Sequence, residues 1–95
     1  QSVQGTSVNP EAKFLLLRYL FEVEKLQRVE LRTHTLNRAS RAAIEKLGAT
    51  FEGIMRRHRV LANGTTRDTA LYSILDYEWP TVRAGLEYRL EGASR

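Results

Sequence analysis

The loop ahead of the first predicted helix has the residue types of an anion site. It comprises Gln4, Gly5, Thr6, Ser7, Val8 and Asn9. Small residues let backbone N–H groups approach an anion closely, and the helix that follows adds partial positive charge at its N-terminus. Asn9 is a good capping residue, and Pro10 suits the first helical position because its missing N–H would have been unpaired. We therefore expect a phosphate site here, with an ordinary capped helix start as the alternative.

A second polar helix start follows a short strand in the middle of the chain. From Arg28 to Thr33, apolar and charged residues alternate with the period of two that is typical of a strand. Asn37 then predicts a helix cap, and Gly48 predicts the end of that helix. Ser40 lies three residues after the cap, so both side chains are expected on one face of the first turn. On the residues alone, a cap and a small residue at a close contact account for this pair.

Charged residues elsewhere are weaker candidates for chemistry. Glu30 is the acid on the central strand, so it is the candidate there for a general base. A solvated or ion-paired strand residue is the more ordinary interpretation. The densest basic run consists of Arg56, Arg57, His58 and Arg59. On a strand these residues would lie on two faces, so a charged edge strand explains them, with an anion contact as the alternative. His34 and His58 lack the paired spacing of metal ligands, so we expect no metal site.

Composition limits the classes to which the chain belongs. Its 95 residues allow one domain at most, which would bury about 60–65% of its unfolded surface. It has no cysteine, which excludes disulfides and thiolate chemistry, and 15 Lys+Arg against 11 Asp+Glu favour a polyanionic partner. No apolar run approaches the roughly 20 residues of a membrane span, and no signal sequence is recognisable. We expect a cytoplasmic protein with no membrane partner.

The hydropathy pattern predicts a mixed α/β, or α+β, fold in the order helix-strand-helix-strand-hairpin-strand-helix. Helices are predicted from Pro10 to about Leu26, from Ala39 to Leu47 and from Pro80 to about Leu90, with residues 1–9 as a loop and residues 91–95 frayed. Strands are predicted at residues 28–33, 49–61 and 66–75. Asn63-Gly64 predicts the hairpin turn, and Gly53 predicts a bulge.

The motifs around the central helix resemble those of the GNAT acetyltransferases. Asn37-x-x-Ser40, followed by Glu45-Lys46-Leu47-Gly48-Ala49, is similar to a segment typical of that family. Further motifs follow in the order Glu52-Gly53, Arg56, Arg67-Asp68-Thr69, Tyr72-Ser73-Ile74 and Glu78-Trp79-Pro80. Together they resemble the branch typified by ribosomal-protein N-acetyltransferases, over a stretch from about Gln4 to Leu90.

The resemblance implies the C-terminal half of a GNAT fold, as a single partial domain over residues 1–95 that begins just after the family's fourth strand. In that family acetyl-CoA enters where the sheet splits. Its pyrophosphate would lie at the loop from Gln4 to Asn9. Gln4 fits the family pattern there, but Ser7 and Asn9 depart from its glycine and its glycine or alanine. Its pantetheine arm would lie beside Asn37. The family's usual proton donor to the departing thiolate is a tyrosine, whose position is Ile44 here, so the resemblance assigns that role to Ser40, as in the ribosomal-protein branch. The general base would come from the missing half.

The resemblance also implies a function, to which the residues themselves add two rivals. As a GNAT enzyme, the complete protein would transfer acetyl from acetyl-CoA to a primary amine of a protein N-terminus or a small molecule. This chain alone would be inactive and would self-associate. The first rival is a small basic module that binds nucleic acid or another anion through Arg38, Arg41, Arg56, Arg57 and Arg59. Nucleic acid is the less expected partner, because no aromatic residues alternate with the basic ones. The second rival is an inert piece held together by self-association.

Overall fold

The computed structural model describes residues 2–4 and 10–93, which form three α-helices and a four-stranded sheet. In chain order the elements are β1 (Ser2–Gln4), α1 (Pro10–Arg18), a π-helical segment (Tyr19–Val23), β2 (Arg28–His34), α2 (Arg38–Leu47), β3 (Thr50–Val60), β4 (Thr66–Leu75), a 3₁₀ turn (Asp76–Glu78) and α3 (Trp79–Ala93). The strand order is β1-β2-β4-β3, with β1 parallel to β2 and the other neighbours antiparallel. The predicted mixed α/β class is confirmed.

Strand β1 corrects the prediction that residues 1–9 form a loop. Its three residues pair in parallel with β2, in a register that runs from Ser2 opposite Glu30 to Gln4 opposite Arg32. A three-residue strand is too short to show an alternating pattern, so only its pairing with a distant segment defines it. Strand β2 therefore has β1 as one neighbour and β4 as the other.

The first helix ends earlier than the predicted boundary near Leu26. Glu24 N donates to Tyr19 O at 3.0 Å, which is the five-residue spacing of a π-helix, and Val23 is the last helical residue. Lys25 then adopts a φ of 56°, in the left-handed region, which a right-handed helix does not continue through. Several large apolar side chains of α1 and the π-helical segment are exposed. These are Leu15, Leu16, Tyr19 and Val23.

Helix α3 continues to Ala93, whereas the sequence predicted that residues after Leu90 would fray. Val82 and Leu86 are buried and Leu90 packs against the core, as their helical spacing predicted. Arg89 also donates from a terminal guanidinium nitrogen to the carbonyl oxygen of Lys46 on α2, at 3.2 Å. This contact ties the later turns of α3 to the C-terminal end of α2.

The predicted turn between β3 and β4 is confirmed, although the loop is longer than the Asn63-Gly64 pair that predicted it. Residues 61–65 connect the strands, and Gly64 takes a φ of 85°, which glycine adopts at no steric cost. The predicted bulge is also confirmed, because the register shifts between Phe51 and Gly53 and Gly53 has a φ of 152°. A second shift lies between Met55 and Arg59.

One face of the sheet carries the hydrophobic core, and the three helices contribute to it. The core cluster consists of Phe14, Leu17, Leu20, Phe21, Val29, Leu31, Ile44, Leu47, Ala70, Tyr72, Ile74, Trp79, Val82 and Leu86. On β4, Ala70, Tyr72 and Ile74 are fully buried on this face, while Thr69 and Ser73 are almost fully buried on the other. Strand β4 is therefore covered on both faces at these residues.

Candidate functional site

Helix α2 begins immediately beyond the end of β2, and its first turn is closed by its own cap. Asn37 is the N-cap residue, as predicted, and its Oδ1 accepts a hydrogen bond from Ser40 N at 3.0 Å. Arg38 N donates to Leu36 O and Arg41 N donates to Asn37 O, both at 3.0 Å. Most N–H groups of the first turn are thus occupied. Among the described residues, the Ala39 N–H has no partner.

Ser40 lies on the packed side of α2. Ser40 is 8% exposed, and it lies on the same face of the helix as the buried Ile44 and Leu47. Asn37, by contrast, is exposed at the strand tip. The structure therefore brings these two predicted site residues together, because Ser40 N donates to the side chain of Asn37. Asn37 is exposed to solvent, whereas Ser40 is buried.

The first turn of α2 is anchored to β4 by a cluster that the sequence did not reveal. The Tyr72 hydroxyl accepts a hydrogen bond from Arg41 Nε at 3.1 Å and donates one to Glu45 Oε2 at 2.8 Å. Arg41 also donates to Thr35 O at 3.3 Å and lies over the ring of Phe51, with 5.5 Å between its guanidinium carbon and the ring centroid. Burial is the largest cause of the raised pKa of Tyr72, so its hydroxyl stays protonated and able to donate.

Both predicted helix starts follow the parallel pair of strands. Pairing of β1 with β2 extends to Gln4 opposite Arg32, and β2 continues to His34 before α2 begins at Arg38. Helix α1 begins at Pro10, as predicted. The carboxyl ends of parallel strands meet at one edge of a sheet, so the segments after β1 and β2 leave from the same edge. The predicted phosphate-site residues Gly5, Thr6, Ser7, Val8 and Asn9 lie outside the described residues. Gln4 is described only as the last residue of β1.

Glu30 is held on the face of the sheet opposite the core. Its carboxylate pairs with Arg32 at 2.8 Å and with Arg28 at 3.0 Å. Hydrogen bonds from Arg32 and then Arg28 are the largest causes that lower the pKa of Glu30. A carboxylate with a lowered pKa is a weak proton acceptor, so the geometry favours the ion-paired interpretation over that of a general base.

The basic run lies at the edge of the sheet, as its composition suggested. Strand β3 is the edge strand, and it carries Arg56, Arg57, His58 and Arg59 next to the second bulge. His58 Nδ1 lies 2.9 Å from Thr69 Oγ1, and His34 Nδ1 accepts from Leu36 N at 3.1 Å. Within residues 2–4 and 10–93, no group of three His, Cys, Asp or Glu side chains is placed to hold a metal ion.

A family model described as an acetyltransferase (GNAT) domain matches residues 1–50, just over half of the chain. This chain belongs to the GNAT acetyltransferase family. The matched segment runs from β1 through α2 and therefore contains both helix starts, including Asn37 and Ser40. No curated protein matches the GNAT chain.

Solved structures agree with this GNAT assignment and extend the similarity to the later strands. One acetyltransferase structure is 41% identical to this chain with a TM-score of 0.86. The match covers 94% of this chain and 53% of that protein. An acetyltransferase from T. thermophilus is 48% identical with a TM-score of 0.84, over 90% of this chain and 46% of its own. RimJ from Mycobacterium smegmatis, in complex with CoA-disulfide, is 29% identical to this chain with a TM-score of 0.72. The match covers 90% of this chain and 39% of RimJ. The GNAT chain thus spans about half the length of the first two.

Across residues 2–4 and 10–93, none of the helices combines the length and the apolar character needed to cross a bilayer.

Proposed function

We propose that these residues form the coenzyme A-binding, C-terminal half of an N-acetyltransferase of the ribosomal-protein type. The complete enzyme transfers the acetyl group of acetyl-CoA to a primary amine of a protein N-terminus or of a small molecule. The observation that carries this proposal is the parallel pairing of β1 with β2. Both strands end at one edge of the sheet, and the cap of α2 follows β2 there. Ligands of open α/β sheets bind at such an edge.

The proposed site divides acetyl-CoA between the two helix starts. Its pyrophosphate binds the loop from Gln4 to Asn9, where backbone N–H groups and the N-terminus of α1 favour an anion. Its pantetheine arm runs past Asn37, and the unpartnered Ala39 N–H is the one amide of the first turn of α2 left to donate to it. The presence of CoA-disulfide in the M. smegmatis RimJ structure supports this ligand class.

The proposed reaction is a direct attack of a neutral amine on the thioester carbonyl. A tetrahedral intermediate forms, and backbone N–H groups near the β1–β2 edge stabilise its oxyanion. Collapse of the intermediate breaks the carbon–sulfur bond and leaves the amide product and the CoA thiolate. Ser40 donates its hydroxyl proton to the thiolate, and the proton that the base took from the amine returns to Ser40 through solvent. The proton of the amine goes to a base outside these residues, because Glu30 is engaged by two arginines.

Calorimetric titration of the complete enzyme with acetyl-CoA tests the proposed phosphate site. Ser7→Glu places a carboxylate where the pyrophosphate is proposed to bind, so we expect affinity to fall roughly tenfold or more. Thr81→Glu is the matched control, because it adds the same charge on α3 beside Gly48, at the other end of α2 from its cap. Equal affinities for the two variants would remove the loop from the binding site.

A further inference from the structure

The outer half of the β3–β4 hairpin, residues 56–68, has an excess of positive charge that its own contacts do not balance. We call this segment the arginine hairpin. It contains four arginines and one acidic residue, Asp68. Within the described part of the chain, no ion pair involves Arg56, Arg57, Arg59 or Arg67. The carboxylate of Asp68 instead accepts the backbone N–H of Arg57 at 2.8 Å.

Two of these arginines are placed against each other. Arg59 and Arg67 are direct partners in the antiparallel register of β3 and β4. Like charges in directly opposite positions destabilise a strand pair. This opposition of two like charges indicates a missing anion.

Arg56, Arg57 and Arg59 lie on the edge strand β3, whose pairing with β4 is irregular at this point. Between Met55 and Arg59 the register of β3 shifts, and Arg57 takes a φ of 52°, which is uncommon for a residue other than glycine. The hydrogen bond from Arg57 N to Asp68 fixes this bulge. A bulged edge does not offer a regular row of backbone groups for another strand. Recognition at this edge therefore depends on the guanidinium groups.

We propose that the arginine hairpin is a docking surface for an acidic polypeptide segment. Arginine binds carboxylates in a bidentate geometry, so Asp and Glu side chains suit the opposed Arg59 and Arg67. A second copy of this chain does not fit, because its own arginines would face these. A nucleic acid is disfavoured, since residues 56–68 contain no Phe, Tyr or Trp on which bases could stack, and the ring of His58 contacts Thr69. The surface is independent of the proposed acetyl transfer.

Fluorescence anisotropy with a labelled ten-residue glutamate peptide tests this docking surface without any acetyl-transfer assay. We expect the double variant Arg59→Gln/Arg67→Gln to weaken binding roughly tenfold and to lower its salt dependence. Arg18→Gln/Arg89→Gln is the matched control, because it removes the same charge from exposed positions on α1 and α3. We expect it to change binding less than about twofold. Circular dichroism verifies that both variants are folded.

Two results would overturn the docking surface. The first is an equal loss of peptide affinity in the hairpin variant and the control, which would show attraction to net charge alone. The second is tighter binding of a single-stranded oligonucleotide of matched charge that is lost on the same substitutions. That result would make the arginine hairpin a nucleic-acid surface instead.

Discussion

Tyr72, in the middle of β4, donates a hydrogen bond from its buried ring hydroxyl to Glu45 on α2, at 2.8 Å. The same hydroxyl accepts from Arg41, which also binds the carbonyl oxygen of Thr35. One tyrosine thus connects the sheet, the strand tip and the first turns of α2. The position of the cap that carries Asn37 depends on this connection.

Replacing Tyr72 with phenylalanine should lower the free energy of unfolding by about 1 kcal/mol, because the ring still fills the core while two hydrogen bonds are lost. Urea unfolding measures the change. Tyr88→Phe is the control, since Tyr88 is 77% exposed and should shift the free energy by less than about 0.5 kcal/mol. Equal midpoints for the two variants would show that the Tyr72 hydroxyl does not stabilise the fold.

Glu22 connects the π-helical segment to α3, and we expect this contact to depend on pH. Its Oε2 accepts from Trp79 Nε1 and from Arg83, each at 2.7 Å. The Trp79 hydrogen bond is the largest cause that lowers the pKa of Glu22 below its ordinary 4.5. Since the pKa is lower in the folded state, the stabilisation is complete above about pH 4.5 and is lost as the pH falls through the folded-state value.

Trp79 is the only tryptophan in the sequence, so its fluorescence reports protonation of Glu22 directly. We expect an emission change with a midpoint below pH 4.5 in the unmodified chain and none in Glu22→Gln. Glu24→Gln is the control and should keep the transition, because Glu24 bonds Tyr19 and does not contact the indole. A transition that persists in Glu22→Gln would assign it to another carboxylate, such as Glu30 or Glu52.

Ser40→Ala in the complete enzyme tests the proposed proton donor. We expect kcat to fall on the order of 100-fold with little change in KM, since general acid catalysis acts only in the transition state. Ser73→Ala is the control, because Ser73 is also buried but lies on β4, where its hydroxyl bonds Glu52. A kcat for Ser40→Ala within about twofold of the unmodified enzyme would leave Ser40 with a packing role alone.

The isolated chain should self-associate and should not turn over acetyl-CoA. Several large apolar side chains of α1 and the π-helical segment meet solvent, and such patches are association sites. Sedimentation at micromolar concentration should show species larger than a monomer. Leu15→Lys/Val23→Lys should reduce them, whereas Leu36→Lys/Val60→Lys should not, because those side chains are also exposed but lie elsewhere. A monomer that turns over acetyl-CoA would overturn both the partial-domain proposal and the placement of the base.

Short-range signals determined much of the architecture from sequence. The bounds of α2 follow from Asn37 and Gly48, whose side chain and left-handed φ of 95° act within one turn of the helix. The alternation in β2 predicted its burial pattern, because side chains of a strand point to opposite faces in turn. The GNAT motif from Asn37 to Ala49 also lies in this locally determined region.

The remaining features depend on partners that are distant in the chain, and only the tertiary structure decided them. Strand β1 exists through its pairing with β2, and Tyr72 contacts Arg41 across 31 positions of sequence. Glu22 and Trp79, which are joined by a hydrogen bond, are separated by 57 positions of sequence. No local pattern encodes such contacts, because they form only when packing of the core brings α2 and α3 against β4 and α1. The sequence alone therefore determined where a helix cap and a strand tip lie, and tertiary packing determined what holds them in place.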